Sequence, residues 1–290
     1  MARFNKLVAD NDYGSLVLHA FTKSELRDAY LALRAFNVSI ASIDDHVTRA
    51  ELGAARMVFW QDILTRVYQE PEKPVPAEPV AVLLAKVLRE DGIKISETWL
   101  KRIIKARKQY LGGAPFPTLD ALENYAEQTY SSLHYASLEA LGHHSATLDH
   151  IGSHIGKATG IANILRGLPH MASRKGSAAA VVLPLDICAH HGLKQEEVLR
   201  YGPEAKGLQD AVFEVAVRAN DHLITAREMA KEARKEVDRD VFATYLPAIP
   251  TTLYLEKLQQ RHFDPFDPKL QKRDWVLPYK SLAAMKKRKF

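Results

Sequence analysis

Almost the whole chain repeats its apolar residues at steps of three and four, and nothing alternates convincingly at steps of two. Residues 23–46 place Leu26, Tyr30, Leu33, Phe36, Ile40 and Ile43 on one stripe, and residues 51–69 do the same with Leu52, Ala55, Val58, Phe59, Leu64 and Val67. A 3.6-residue period sets such side chains along one helix face, which must then be buried. The same period predicts helices at 79–90, 96–110, 118–142, 147–168, 194–200, 204–231 and 240–260. Thr22 or Ser24 is the expected N-cap of the first helix. EPEKPVPAEP at 70–79 and GGAPFP at 112–117 read as loops. The expected fold class is all-α with one continuous core, because no linker is long enough to separate domains.

Small residues recur on some of these helices. Ser131, Ser132, Ala136 and Ala140 follow the helical period, and Gly152, Gly156 and Gly160 stand every fourth residue. Such faces either bring two backbones close or line a cavity, and close packing is the default.

Charge and composition narrow the function. The longest apolar run, AAAVVLPL at 178–185, is broken by Pro184, so no membrane-spanning helix is expected. Cys188 stands alone, which excludes an internal disulfide, argues for a reducing compartment and reads as a buried apolar thiol. With 40 basic and 35 acidic residues the net charge is +5, without the interleaved aromatic and basic residues of a single-strand binder. Nucleic acid is not an expected partner. Part of the excess is terminal, where Lys286, Lys287, Arg288 and Lys289 follow Trp275, Leu277 and Tyr279. The domain expectation is a helical unit over 1–263 and a basic tail over 264–290. That tail is by default frayed and solvated, and otherwise suits an anionic membrane or an acidic partner. No presequence is visible, since Asp10 and Asp12 follow closely on Arg3 and Lys6.

Histidine offers little chemistry. His150 and His154 have the i, i+4 spacing of zinc ligands, with His143, His144 and His170 nearby, but no Glu completes an HExxH pattern. A structural or surface role is the default for the pair. His190 and His191 before Gly192 suit a helix end. Neither a GxSxG, nor a P-loop, nor a Rossmann glycine pattern occurs. No metal or cofactor is expected.

What remains is a site of paired carboxylates on facing helices, where DxxxD spacing holds magnesium around a diphosphate. The chain resembles the squalene and phytoene synthase superfamily over nearly its whole length. The family's first motif, roughly YaFcRxxDDxxD, aligns with LRAFNVSIASIDD at 33–45. Its second, NxxRDxxxD followed by a YLP segment, aligns with NILRGLPHM at 163–171 followed by VLPLDICAHHGLKQEEVLR at 182–200. The resemblance implies an isoprenoid-synthase-like helical bundle around a central cavity. Anchored on the RAF at 34–36, the family's paired aspartates fall on Ala41 and Ser42 and its arginine on Val38, and only Asp45 survives as an acid. In the second motif Asn163 and Arg166 are kept, but the aspartates fall on Gly167 and Met171. A register shifted by three would use Asp44, Asp45 and Thr48, at the loss of the aromatic anchor, and still leaves the second motif empty. Ala41, Ser42, Asp45, Asn163, Arg166, Gly167 and Met171 therefore read as a vestigial diphosphate and metal site. Arg166, with Lys157 and Arg174, could still attract an anion, but prenyl transfer is expected to be lost and no residue is expected to be catalytic.

Within the superfamily the chain most resembles a divergent branch, mitochondrial complex I assembly factors with a synthase-like domain. ALRAFNVSIA at 32–41, RMVFW at 56–60, LENYAEQTYSSLHY at 122–135 and SHIGKATGIANILRGLPH at 153–170 carry that resemblance. It implies a pseudoenzyme of the mitochondrial matrix, peripheral on the inner membrane, that acts early in assembly and supports a membrane-arm core subunit. Its implied partners are complex I subunits or other assembly factors, with peripheral contact to inner-membrane lipid. The old prenyl cavity would then dock a protein or a lipid tail, with Phe36, Tyr125, Ser132, His154 and Lys157 as candidate lining residues. The alternative is a residual prenyl-diphosphate-utilising transferase that works through Asp44, Asp45 and Arg166 with an altered metal site.

Overall fold

The apolar stripes become helices, several of them shorter or more divided than the stripe itself. The computed structural model describes residues 2–47, 49–174 and 179–290, so Thr48 of the shifted register and Ala178 of the longest apolar run lie outside the described residues. The helices are α1 (Ala2–Asn11), α2 (Tyr13–His19), α3 (Arg27–Ala41), α4 (Ala50–Gln69), α5 (Pro79–Ala85), α6 (Glu97–Gln109), α7 (Leu119–Ala126) and α8 (Ser132–Ala140). They continue as α9 (Ala146–Ala172), α10 (Leu185–His190), α11 (Gln195–Tyr201), α12 (Leu208–Glu232), α13 (Arg239–Tyr245), α14 (Ala248–Gln260) and α15 (Leu277–Lys287). Among the described residues there is no strand.

Several boundaries differ from the periodic expectation, each for a local reason. Helices α1 and α2 precede the one expected at 23–46, which is α3. It starts only at Arg27 and lacks a side-chain cap, because a 3₁₀ turn at Ser24–Leu26 precedes it and Ser24 O accepts the Arg27 N–H. Ser24 Oγ donates to Glu25 instead. The helix expected at 118–142 is α7 and α8 joined by a π-helical segment, Glu127–Ser131. The one expected at 240–260 divides at Pro247 into α13 and α14, since proline has no N–H for the ladder. The basic terminus is not a frayed tail. Leu277, Ser281 and Ala284 of α15 are buried, and Arg227 Nε donates to Phe290 O at 2.7 Å.

The apolar faces gather into two clusters. One holds α3, α4, α5 and α6 around Phe36, Ile63, Leu84 and Ile103. The other is built on α9, α12, α13 and α14 around Ile155, Leu165, Val212 and Tyr245. Helix α9 is the axle of the second cluster, with α12 on one side and the α7–α8 unit on the other. The glycine stripe explains the second contact. A Cβ on Gly156 would strike the Ser131 backbone, and one on Gly160 would strike Ala126, so these glycines let two helix backbones touch. Ser131 Oγ, at the end of the π segment, donates across the contact to Ser153 O at 3.0 Å. Cys188 is 3% exposed, and burial pushes its thiol up to about 11, which makes it a packing residue and not a nucleophile.

Candidate functional site

Where the two clusters meet they leave a cleft. It has two connected lobes, of about 1940 Å³ and about 940 Å³ with the open mouth included. Ala41, Asp45, Tyr130, Asn163, Gly167 and His170 line both lobes. Helices α3 and α9 thus face each other across it and bring the two sequence motifs together. Ser42 and Arg166 line the larger lobe and Met171 the smaller, so all seven vestigial positions border one space.

The remaining acids at the mouth are already engaged. Arg174 Nη1 donates to Asp44 Oδ2 at 2.6 Å, and its Nη2 donates to Asp45 Oδ1. His170 Nε2 lies 3.1 Å from the same Asp45 oxygen, and the Gly112 N–H donates to Asp44 Oδ1 at 2.7 Å. Burial pushes the Asp45 carboxyl up, but Arg174 and His170 outweigh it and hold the group below the usual carboxylate range. One guanidinium therefore bridges the two acids, a geometry that suits its forked donors.

The floor of the cleft is positive. Arg34 and Arg107 are 5% and 6% exposed, and both line the space. Arg107 donates from Nη2 to Asn37 Oδ1 at 2.6 Å and from Nη1 to Asn37 O at 3.2 Å. Arg34 sits 5.2 Å from the Tyr30 ring, and Arg166 sits 4.5 Å from the ring of Tyr254. Among the described residues no acid pairs with these three arginines. Arg34 and Asn37 lie inside the first motif but at none of its charged positions, and Arg107 lies in no motif, although a signal exists. Residues Leu31 to Val38 of α3 are buried without a break, and a polar residue on a helix buried all round must meet a partner or a cavity.

Magnesium does not fit this donor set. A cluster around a diphosphate needs several free carboxylates on both walls. One wall offers Ala41 and Ser42, the other Gly167 and Met171, and Asp44 and Asp45 are taken by Arg174. The site can hold an anionic or carbonyl-rich group on arginine and asparagine donors, beside apolar wall.

The candidate lining residues divide. Tyr125 borders the smaller lobe. Phe36 does not, being fully buried against Trp60 with ring centroids 5.5 Å apart. Ser132 is also fully buried, its hydroxyl spent on Gln128 O at 2.9 Å. His154 and Lys157 point away from the cleft into a polar cluster on the outer side of α9. There the two Nδ1 atoms of His154 and His222 are 2.9 Å apart, and Lys157 Nζ lies 3.1 Å from Glu123 Oε1. Arg218 adds a bond to Glu123 Oε2 at 2.8 Å. Proximity in sequence groups Lys157 with Arg166 and Arg174, but nine residues of helix turn it to the other side.

His154 is thus matched by His222 and not by His150, which is exposed. Among the described residues, the group whose donor atoms could share a metal is His190, His191 and Glu214. It lies outside the cleft lining, and Glu214 Oε2 is held by His191 Nε2 at 2.6 Å.

The polar cluster on α9 sets an acid limit on stability. Burial, then the neighbouring His222, push His154 from 6.5 down to about 4. Burial pushes Glu123 up, but Arg218 and Lys157 outweigh it and bring it to about 2. In both groups the folded form resists protonation, so their stabilisation is complete above the unfolded values and fades as pH falls. Thermal melts are expected to be level between about pH 7 and 8, to decline from about 6.5 towards 4 with His154 and the likewise depressed His222 and His134, and to decline further towards 2 with Glu123. A melting temperature that stays level down to pH 4 would contradict this assignment.

The squalene/phytoene synthase family model matches residues 9–277. The chain belongs to the squalene/phytoene synthase family. Within the family it is 37% identical over 273 residues to NADH dehydrogenase (ubiquinone) complex I, assembly factor 6 of Bos taurus, covering 94% of this chain and 78% of that protein. The Homo sapiens protein of the same name is 36% identical with the same coverage. The Drosophila melanogaster homolog is 33% identical over 94% of this chain and 79% of its own length. Its resemblance to the assembly-factor branch is thus matched by curated relatives along nearly the whole chain. Solved structures agree on the fold. A dehydrosqualene synthase in complex with ligand superposes with a TM-score of 0.75 at 18% identity, covering 99% of this chain and 95% of that one. A squalene synthase from Alicyclobacillus acidocaldarius gives 0.71 at 14% identity, covering 91% and 95%. The family's helical bundle is therefore intact around a cleft bordered by Ala41, Ser42, Gly167 and Met171.

Proposed function

We propose that this member of the squalene/phytoene synthase family is a non-catalytic assembly factor of respiratory complex I. It works in the mitochondrial matrix, peripheral on the inner membrane, early in assembly and in support of a membrane-arm core subunit. The cleft is its binding surface, for a segment of a complex I subunit, another assembly factor or a lipid tail. Relatives named as complex I assembly factors along 94% of the chain support the process. The observation that carries the loss of catalysis is the mouth of the cleft, where Arg174 occupies Asp44 and Asp45.

Ionising an allylic diphosphate needs several positive charges around the leaving group, and the family gathers them as metals on carboxylates. Three arginines fixed in the floor give attraction without the mobile, close-packed cations that the step requires. The apolar cores that hold the bundle do not depend on those carboxylates, so the fold outlives the chemistry.

Two measurements test this. In cells that lack their own assembly factor of this branch, the chain is expected to restore complex I on native gels, and failure of a well-expressed protein to do so counts against the assembly role. Calorimetry with farnesyl diphosphate is expected to give no magnesium-dependent heat. Magnesium-dependent binding would move the assignment to a prenyl-diphosphate-utilising transferase.

A further inference from the structure

The C-terminal segment does more than close the bundle. Residues 269–290 hold eight of the 40 basic residues and one of the 35 acidic ones, so the net charge of +5 comes wholly from this segment and the rest of the chain is slightly acidic. Its one acid, Asp274, is paired with Lys257 at 2.8 Å. No ion pair engages Lys272, Lys280, Lys286, Lys287, Arg288 or Lys289 among the described residues.

Three large apolar side chains stand out among these cations. Trp275 is 78% exposed, Tyr279 70% and Leu282 47%. At about 100° per residue, Tyr279, Leu282 and Lys286 fall within an arc of about 60° opposite the buried Leu277, Ser281 and Ala284. Trp275 lies one turn before Tyr279. Helix α15 is therefore amphipathic twice over, with one apolar face on the core and a second, aromatic and cation-flanked, towards solvent. Lys280, Lys287 and Lys289 also rim a shallow groove of about 600 Å³ floored by Ile249 and Leu253.

We infer that the outer face of α15, with Trp275 before it and the lysines around it, is the surface by which the protein lies on an anionic phospholipid bilayer. Aromatic rings with a polar edge partition to the headgroup level, and lysines beside them add attraction to acidic lipids. An acidic protein is the weaker match. The unpaired cations are nearly all lysine, which acts as a flexible point charge on a diffuse anionic surface, where arginine would be the choice for fixed bidentate pairs. The aromatic side chains also stand outside the lining of the groove and of the larger lobe. Lys272, Arg273 and Leu277 border that lobe, so a bilayer against this face would lie beside the cleft. This gives a surface to the peripheral placement proposed above, and its test leaves the assembly role and the cleft ligand untouched.

The test is flotation of the full chain with vesicles of phosphatidylcholine alone and with about a quarter phosphatidylglycerol. Binding is expected only to the anionic vesicles and is expected to fall with added salt. Trp275→Ala with Tyr279→Ala is expected to lower the bound fraction about fivefold or more, and Lys286→Glu with Lys289→Glu about tenfold or more. The matched reversal Lys105→Glu with Lys108→Glu, on exposed positions of α6, is expected to leave binding in place. Circular dichroism melts establish that each variant is folded. Equal binding to both vesicle types, no binding to either, or an equal loss from the α6 control would each overturn the inference. So would capture of an acidic protein by a chain that ignores the vesicles.

Discussion

Gly156→Val will cost the protein a large share of its stability. The valine Cβ would meet the backbone of Ser131, and a helix backbone cannot yield as a flexible side chain can. Overpacking a tight contact costs about 1–3 kcal/mol and occasionally more, and here both partners are long-range core elements. We expect about 3 kcal/mol or more, a large share of the roughly 5–15 kcal/mol that holds an ordinary domain. Gly156→Ala should already show much of the effect, because it is the first carbon that collides. Urea unfolding followed by circular dichroism reads it directly. An alanine variant with the midpoint of the unaltered chain would show that the helices can move apart without loss.

Gly167, eleven residues further along the same helix, should behave in the opposite way. Nothing lies within 4 Å of a Cβ placed there, and the position faces both lobes of the cleft. Gly167→Ala should raise stability by up to about 1 kcal/mol through helix propensity alone. Gly167→Trp should keep the fold and fill the cleft. If the cleft is the binding surface, the tryptophan variant will melt like its parent yet fail to restore complex I on native gels, while the alanine variant succeeds. A folded tryptophan variant that restores complex I fully would remove the cleft from the proposal and leave the assembly role standing.

These two glycines also mark what the sequence can and cannot disclose. The four-residue spacing of Gly152, Gly156 and Gly160 announces a close approach, and the bundle delivers it. The period-3.6 stripes place the long helices well, because long stripes average out local exceptions. Helices α1, α2, α10 and α15 escape the pattern, and length alone does not decide it, since α11 with seven residues is read at 194–200. The π segment at Glu127–Ser131 is invisible to a pattern that counts apolar positions, though it sets Ser131 against Gly156. In the cleft, motif alignment locates Ala41, Asn163, Arg166 and Gly167, whereas the direction of a side chain depends on which face its neighbours occupy. Lys157 and His154 illustrate this, as do Phe36 and Ser132, which have the right addresses and the wrong orientations. The link between Arg174 and the two aspartates spans about 130 residues of chain, and no local pattern encodes it.

That link has a consequence for the protein's dependence on its surroundings. A metal ion held by carboxylates exchanges with solvent, so the charge state of such a mouth follows ion supply, chelators and competing ligands. A guanidinium tethered to the same chain cannot be diluted or extracted. In this family member the balance of charge between α3 and α9 is thus a fixed property of the polypeptide, carried wherever the chain is sent.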